Sequence, residues 1–169
     1  WSIEKNENGN IKSGAVWKKD DMKMQFEIAT NYPNPRRQDF AQLIQGQLYE
    51  AGFQTTIRIL DANAFYHDYL MGNQEYETAI AGWRMGSDPD QTSIFHSKSY
   101  PDSFNWLKYE NPEVDKLLEE GLNYFSQEER KPIYTELSKT LVQEQPYVWL
   151  AFQDGTFGSD PRLKGFEPA

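Results

Sequence analysis

The stretch MKMQFEIATNYPNPRRQDFAQLIQGQLYEAGFQTTIRIL, residues 22–60, holds a strand, a break, a helix and a second strand in direct succession. Met22, Met24, Phe26 and Ile28 alternate with charged or polar neighbours, the two-residue period of a half-buried strand. Asn31-Tyr32-Pro33-Asn34-Pro35 must end it, because proline has no N–H to give the ladder. A helix follows from about Arg36 to Ala51, with Phe40, Ile44 and Leu48 on one face, joined by Leu43 and Ala51. Gly52 suits a left-handed stop. Phe53 to Leu60 alternates again and is rich in β-branched residues, so it reads as the second strand.

The pattern extends in both directions. Asp61 can cap a helix from Ala62 to Met71, which Gly72-Asn73 ends. Tyr76 to Trp83 reads as a third strand, more continuously apolar than the others and therefore expected at the sheet centre. The order β-α-β-α-β predicts an α/β fold with a mainly parallel open sheet flanked by helices. Upstream, Asn8-Gly9 is a hairpin signal, and Lys18-Lys19-Asp20-Asp21 is a polar turn. Downstream come an irregular loop, Arg84 to Gln91, a turn around Ile94-Phe95-His96, and a Ser/Pro/Asn-rich stretch to Glu110.

Asn111-Pro112-Glu113 sets a cap, an N1 proline and an acid at the head of a helix carrying Val114, Leu117, Leu118 and Leu122. Ser126-Gln127-Glu128-Glu129 is a capping box for another, with Ile133, Leu137 and Leu141 inward and Pro132 expected to bend its first turns. Pro146 precedes a last predicted strand, Tyr147 to Phe152, and a polar tail. One α/β domain over residues 1–169 is the expected organisation. The chain begins without Met and shows no signal-peptide pattern, so a piece of a longer product is expected.

A formal charge of -9 argues against nucleic acid and against anionic lipid, both of which call for clustered Lys and Arg. With no cysteine, disulfides, thiolate metal sites and a Cys nucleophile are excluded together. His67 and His96 are the only histidines and lack a ligand spacing, so no cofactor or metal is expected. No Gly-x-Ser-x-Gly or phosphate-cradling glycine loop occurs, and Asp88 with Asp90 stand too close along the chain to flank a sugar. The expectation is a binder rather than an enzyme.

Ligands of open parallel sheets sit beyond the carboxyl ends of the strands. The candidate segment is Ala81-Gly82-Trp83-Arg84-Met85-Gly86-Ser87-Asp88-Pro89-Asp90. Gly82 and Gly86 permit close approach by another backbone. Trp83 offers a flat apolar face with one donor, and Asp88 and Asp90 offer acceptors to a cation. The set suits an extended peptide paired along a strand edge. A plainer alternative stays open, with Trp83 in the core and Asp88-Pro89-Asp90 a turn with a capping acid.

Gly82-Trp83 followed by Asp88-Pro89 resembles the family 5 extracellular solute-binding proteins, the oligopeptide, dipeptide and nickel binders of ABC importers. Tyr109-Glu110-Asn111-Pro112-Glu113-Val114-Asp115-Lys116-Leu117-Leu118 is similar to their Tyr-x-Asn-Pro-x-Val-Asp-x-Leu-Leu helix start. Glu129-Arg130 through Tyr134, Glu144 to Val148, and Ala41 to Gly52 with the strand after it are similar in order.

The resemblance implies a type II periplasmic-binding-protein lobe, the second of two, holding half of a cleft whose N-terminal lobe is missing. It implies a peptide ligand, an ABC permease as partner and an extracytoplasmic place, as a periplasmic or lipid-anchored protein. Many relatives set the acid for the peptide amine three residues after this tryptophan. Gly86 stands there, so either Asp88 substitutes, which is the expectation, or the amine is anchored elsewhere. Arg84 is a candidate for a ligand carboxylate or else a solvated loop charge. Two other readings are carried: a nickel-type receptor of the same family, and a carbohydrate-binding module stacking sugars on Trp83, Trp106, Tyr109, Trp149 and Phe152.

Overall fold

The computed structural model describes residues 1–73, 76–84, 86–152, 158–160 and 162–165. Residues 1–24 form a small flap. Strands β1 (Lys18–Lys19) and β2 (Met22–Lys23) pair antiparallel across the expected polar turn. Gly9 takes φ +81 in the turn between the bridged residues Lys5 and Ile11. The Trp17 N–H donates to the Gly52 carbonyl at 3.0 Å, tying the flap to the helix end that Gly52 closes.

Strand β3 (Gln25–Tyr32) pairs in parallel with β4 (Gln54–Asp61) along its whole length, and with β5 (Thr78–Ala79) on its other side. The order β4-β3-β5 puts β3 at the centre. Among the described residues the apolar run 76–83 therefore holds an edge strand, correcting the expectation. It is apolar on both sides because both sides are covered: Ile80 packs toward the first helix while Ala79 and Ala81 pack on the opposite face. The first strand also differs. Met22 belongs to the flap and is exposed, whereas Asn31 and Tyr32 still pair with β4, so Pro33 rather than Asn31 ends the strand.

Helix α1 (Pro35–Glu50) is capped by Asn34, whose Oδ1 accepts the Arg37 N–H at 3.2 Å. It covers one sheet face through Ala41, Phe40, Ile44 and Leu48 against Phe26, Ile28 and Ile57. Leu43, expected inward, is exposed. A widely wound π-type helix (Ala64–Asn73), headed by Asp61 Oδ1 on the Asn63 and Ala64 N–H groups, covers the other face through Phe65, Tyr69 and Leu70.

Short α2 (Thr92–Phe95) is followed by α3 (Pro112–Gly121) and α4 (Gln127–Glu144). Asn111 and Ser126 cap the two longer helices as expected, and α4 runs unbroken through Pro132. Val114, Leu118, Leu137 and Leu141 join Ile94 and Phe95 in a separate helical core. Leu122, at the end of α3, is exposed. Residues 147–152 form no strand; Val148, Leu150 and Phe152 are exposed, so their apolar alternation finds no neighbouring strand among the described residues.

Candidate functional site

The carboxyl ends of β3 and β5 and the opening turn of α1 converge on one side chain, Arg37. The helix start that places it there follows from Asn34 as cap and Pro35 at N1, with no acid in the first turn. Arg37 Nη1 donates to the buried Asn31 Oδ1 at 2.6 Å and to Tyr66 Oη at 2.5 Å. Its guanidinium carbon lies 5.8 Å from the Tyr66 ring centre. Both oxygens are neutral. Nη2 and Nε have no acceptor among the described residues, and beside them runs Gly82, where a Cβ would stand 3.2 Å from Nη2 and 4.0 Å from Nε.

An aromatic ladder continues from this point. Tyr66 tilts against Trp106 at 5.9 Å, Trp106 stacks on Trp83 at 4.5 Å, and Phe104 meets both indoles edge-on. Trp106 is buried, with its indole N–H unpartnered among the described residues, whereas Trp83 is half-buried and Phe104 exposed. Trp83 also packs against the helical core, so it links the two halves of the structure. Tyr76, whose hydroxyl donates to the Trp106 carbonyl at 2.6 Å, is raised to about 12 by burial.

The other predicted residues go to different places. Arg84 and Gly86 are exposed, and Met85 lies outside the described residues. Asp88 is turned toward the helices, where Arg130 Nη2 and Nη1 reach its two oxygens at 2.8 and 3.0 Å. That guanidinium, with the Asp90 N–H, lowers its carboxyl from the ordinary 3.8 to about 2. Asp90 precedes α2 and accepts the Thr92 N–H and hydroxyl at 3.0 and 2.6 Å. Both acids make local turn bonds, and the carboxylate expected for a ligand amine is paired with Arg130 in this geometry.

His96 is buried and structural in its bonding: Nδ1 accepts the Lys98 N–H at 3.1 Å, which leaves Nε2 to donate to Glu119 at 3.2 Å. His67 is exposed beside Asp68. Trp149 and Phe152 are exposed and stand apart from the ladder, so the five aromatics named for sugar stacking do not make one platform. An open groove of about 1020 Å³ runs along α4, lined by Phe125, Arg130, Lys131, Tyr134, Val142 and Asp88. It is remote from Arg37. Sequence reasoning missed Arg37; the acid-free, proline-led helix start was its one visible signal.

No protein-family model matches the chain. The chain is 27% identical over 149 residues to the oligopeptide-binding protein AppA of Bacillus subtilis, covering 88% of this chain and 27% of that protein. The structure of that AppA, in complex with a nonapeptide, superposes with a TM-score of 0.72 at 29% identity, over 85% of this chain and 28% of that one. These relatives are oligopeptide- and dipeptide-binding proteins of the family 5 solute-binding kind, and the chain matches part of their length. Its fold is the α/β lobe of a type II periplasmic binding protein. A probable di/tripeptide-binding protein 5 of Pseudomonas aeruginosa is 33% identical over 120 residues, 69% of this chain and 22% of that protein. NikZ from Campylobacter jejuni, in complex with Ni(L-His), has a TM-score of 0.66 at 26% identity over 85% of this chain and 28% of that one. The chain spans about a quarter of the length of these solute-binding relatives.

Proposed function

We propose that this chain is the second, ligand-gripping lobe of a peptide receptor that feeds an ABC importer from outside the cytoplasm. The observation that carries the reading is the match to AppA, which extends over 85% of the chain in structure and 88% in sequence and includes the strand ends where ligands of such sheets bind. Residues 1–169 act as one lobe, facing a second lobe of the same protein across a cleft. Gly82 and Trp83 line this lobe's side, with Arg84 and Gly86 on the loop that follows. Asp88 holds that loop to α4. The chain binds and does not catalyse: a ligand that touches both lobes only when they are closed drives closure, and the closed form docks on the permease. The protein works as a periplasmic or lipid-anchored receptor.

The test is a native mass spectrum of the protein expressed from its complete reading frame. Co-purified species forming a ladder of peptide masses are the expected result. A single nickel chelate would move the reading to the nickel-type receptor, which the NikZ likeness favours as second choice. A sugar adduct, or a bare protein that no peptide stabilises, would remove the peptide assignment and leave the fold standing.

A further inference from the structure

We infer that Arg37 is the ligand's carboxylate anchor, and that the ladder beside it receives an apolar or aromatic side chain next to that carboxylate. The inference rests on the peptide-receptor reading and names the chemistry that this lobe selects.

Arg37 carries a charge that no anion among the described residues balances. A half-buried guanidinium is costly to hold without an anion, because its hydration is only partly replaced by neutral oxygens. Arg37 has two such oxygens, Asn31 Oδ1 and Tyr66 Oη, and both are taken by Nη1. Its Nη2 and Nε form the edge at which a guanidinium takes a carboxylate in two parallel hydrogen bonds. Among the described residues that edge has no acceptor. The neighbour there is Gly82, which lacks the carbon that would stand 3.2 Å from Nη2.

The second part is the wall. Tyr66 touches both Arg37 and Trp106, and through Trp106 the surface passes to half-buried Trp83 and exposed Phe104. A group whose carboxylate meets Arg37 therefore has an aromatic surface close by on one side. A peptide end fits this pairing of an anion with an adjacent side chain. An acidic side chain flanked by an apolar residue presents the same chemistry, and the experiment separates the two sources.

The protein from its complete reading frame is immobilised and offered a library of random three- to nine-residue peptides. The library is made once as free acids and once as C-terminal amides, and captured species are read by mass spectrometry. Wild type is expected to prefer free acids about ten- to a hundredfold, the range set by losing one charge-assisted contact, with apolar and aromatic residues enriched beside the carboxylate. Arg37→Gln should abolish the preference while still capturing amides.

Amides enriched in Asp or Glu, and lost in Arg37→Gln, would assign the same anchor to a side-chain carboxylate. Equal capture of acids and amides by wild type without acidic enrichment would overturn the inference and leave the receptor intact. So would an unchanged preference in Arg37→Gln. Capture of neither library would overturn the receptor reading itself. Should Arg37→Gln fail to fold, Arg37→Lys keeps the charge without the planar fork and should show an intermediate preference; a full wild-type preference in it would equally reject the two-bond anchor.

Discussion

Arg37 and Arg130 occupy matching places, in the opening turns of α1 and α4, and they are furnished in opposite ways. Arg130 is complete. It bonds Asp88 through both Nη atoms, the Gly121 carbonyl through Nε at 3.1 Å and Tyr134 Oη at 3.0 Å, and it lies over the Tyr134 ring. Glu128 and Glu129 precede it, so the α4 start also carries the acids that a helix N-terminus prefers. Arg37 has two neutral oxygens, no acid in its turn and an open edge. A cation that closes a network belongs to the fold, whereas a cation left open at the strand ends is available to a ligand. The Arg130 cluster is internally satisfied, whereas on the proposal above the Arg37 edge is satisfied by a ligand.

The contrast is tested most severely at Gly121. A Cβ there would meet the Tyr134 ring at 2.8 Å, and that side chain is held by Arg130 through its hydroxyl and its ring face. Alanine is the better helix former by roughly 0.5–1 kcal/mol, but overpacking a ring that cannot retreat costs about 1–3 kcal/mol. Gly121→Ala should therefore lower unfolding stability in urea by a net 1 kcal/mol or so, with peptide capture unchanged once folded. A neutral or stabilising result would mean that the Arg130 network yields, and the contrast between the two arginines would lose its physical basis.

Acid sharpens the same comparison. The Asp88 carboxyl is lowered to about 2, first by the Arg130 guanidinium and then by the Asp90 N–H. A depressed carboxylate stabilises the folded state above its unfolded value, and that contribution fades as pH falls through the folded one. The window therefore runs from about pH 4 down to about pH 2. Wild type should lose more thermal stability between pH 5 and pH 2.5 than Asp88→Asn does, with the two converging at the lower pH. A constant difference at both pH values would show that Asp88 is not held by Arg130 as a charged pair.

Much of this fold was legible because its punctuation is local. Asn34-Pro35, Asn111-Pro112 and Ser126 through Glu129 mark helix starts with groups that satisfy backbone donors within three residues, and all three are realised. What depended on distant neighbours was not legible. The run 76–83 is apolar because two separate cores cover it, a condition that does not distinguish an edge from a centre. Residues 147–152 alternate like a strand, but a strand also needs a partner. The same holds at the site. Gly82 and Trp83 stood out by type, yet Asp88 acquires its role from Arg130, 42 residues on. Arg37 acquires its own from Gly82 and Tyr66, which no local pattern joins to it.

The smallest expected effect on stability falls at Gly82 and isolates what an open edge means. A methyl there would approach Arg37 Nη2 to 3.2 Å, much as the Gly121 methyl approaches Tyr134. The neighbours differ in freedom. Tyr134 is a rigid ring pinned by an ion-paired arginine, whereas Nη2 ends a flexible side chain and is bound to nothing on that edge. The guanidinium can yield by a few tenths of an ångström, so Gly82→Ala should keep unfolding stability within about 0.5 kcal/mol of wild type, as for substitutions away from tight packing. The same methyl stands where a carboxylate would reach Nη2 and Nε. Preference for free-acid over amide peptides should therefore fall although the charge of Arg37 is untouched. Loss of stability with the preference intact would reverse the assignment, making the Arg37–Gly82 contact a packing constraint and the edge a closed one.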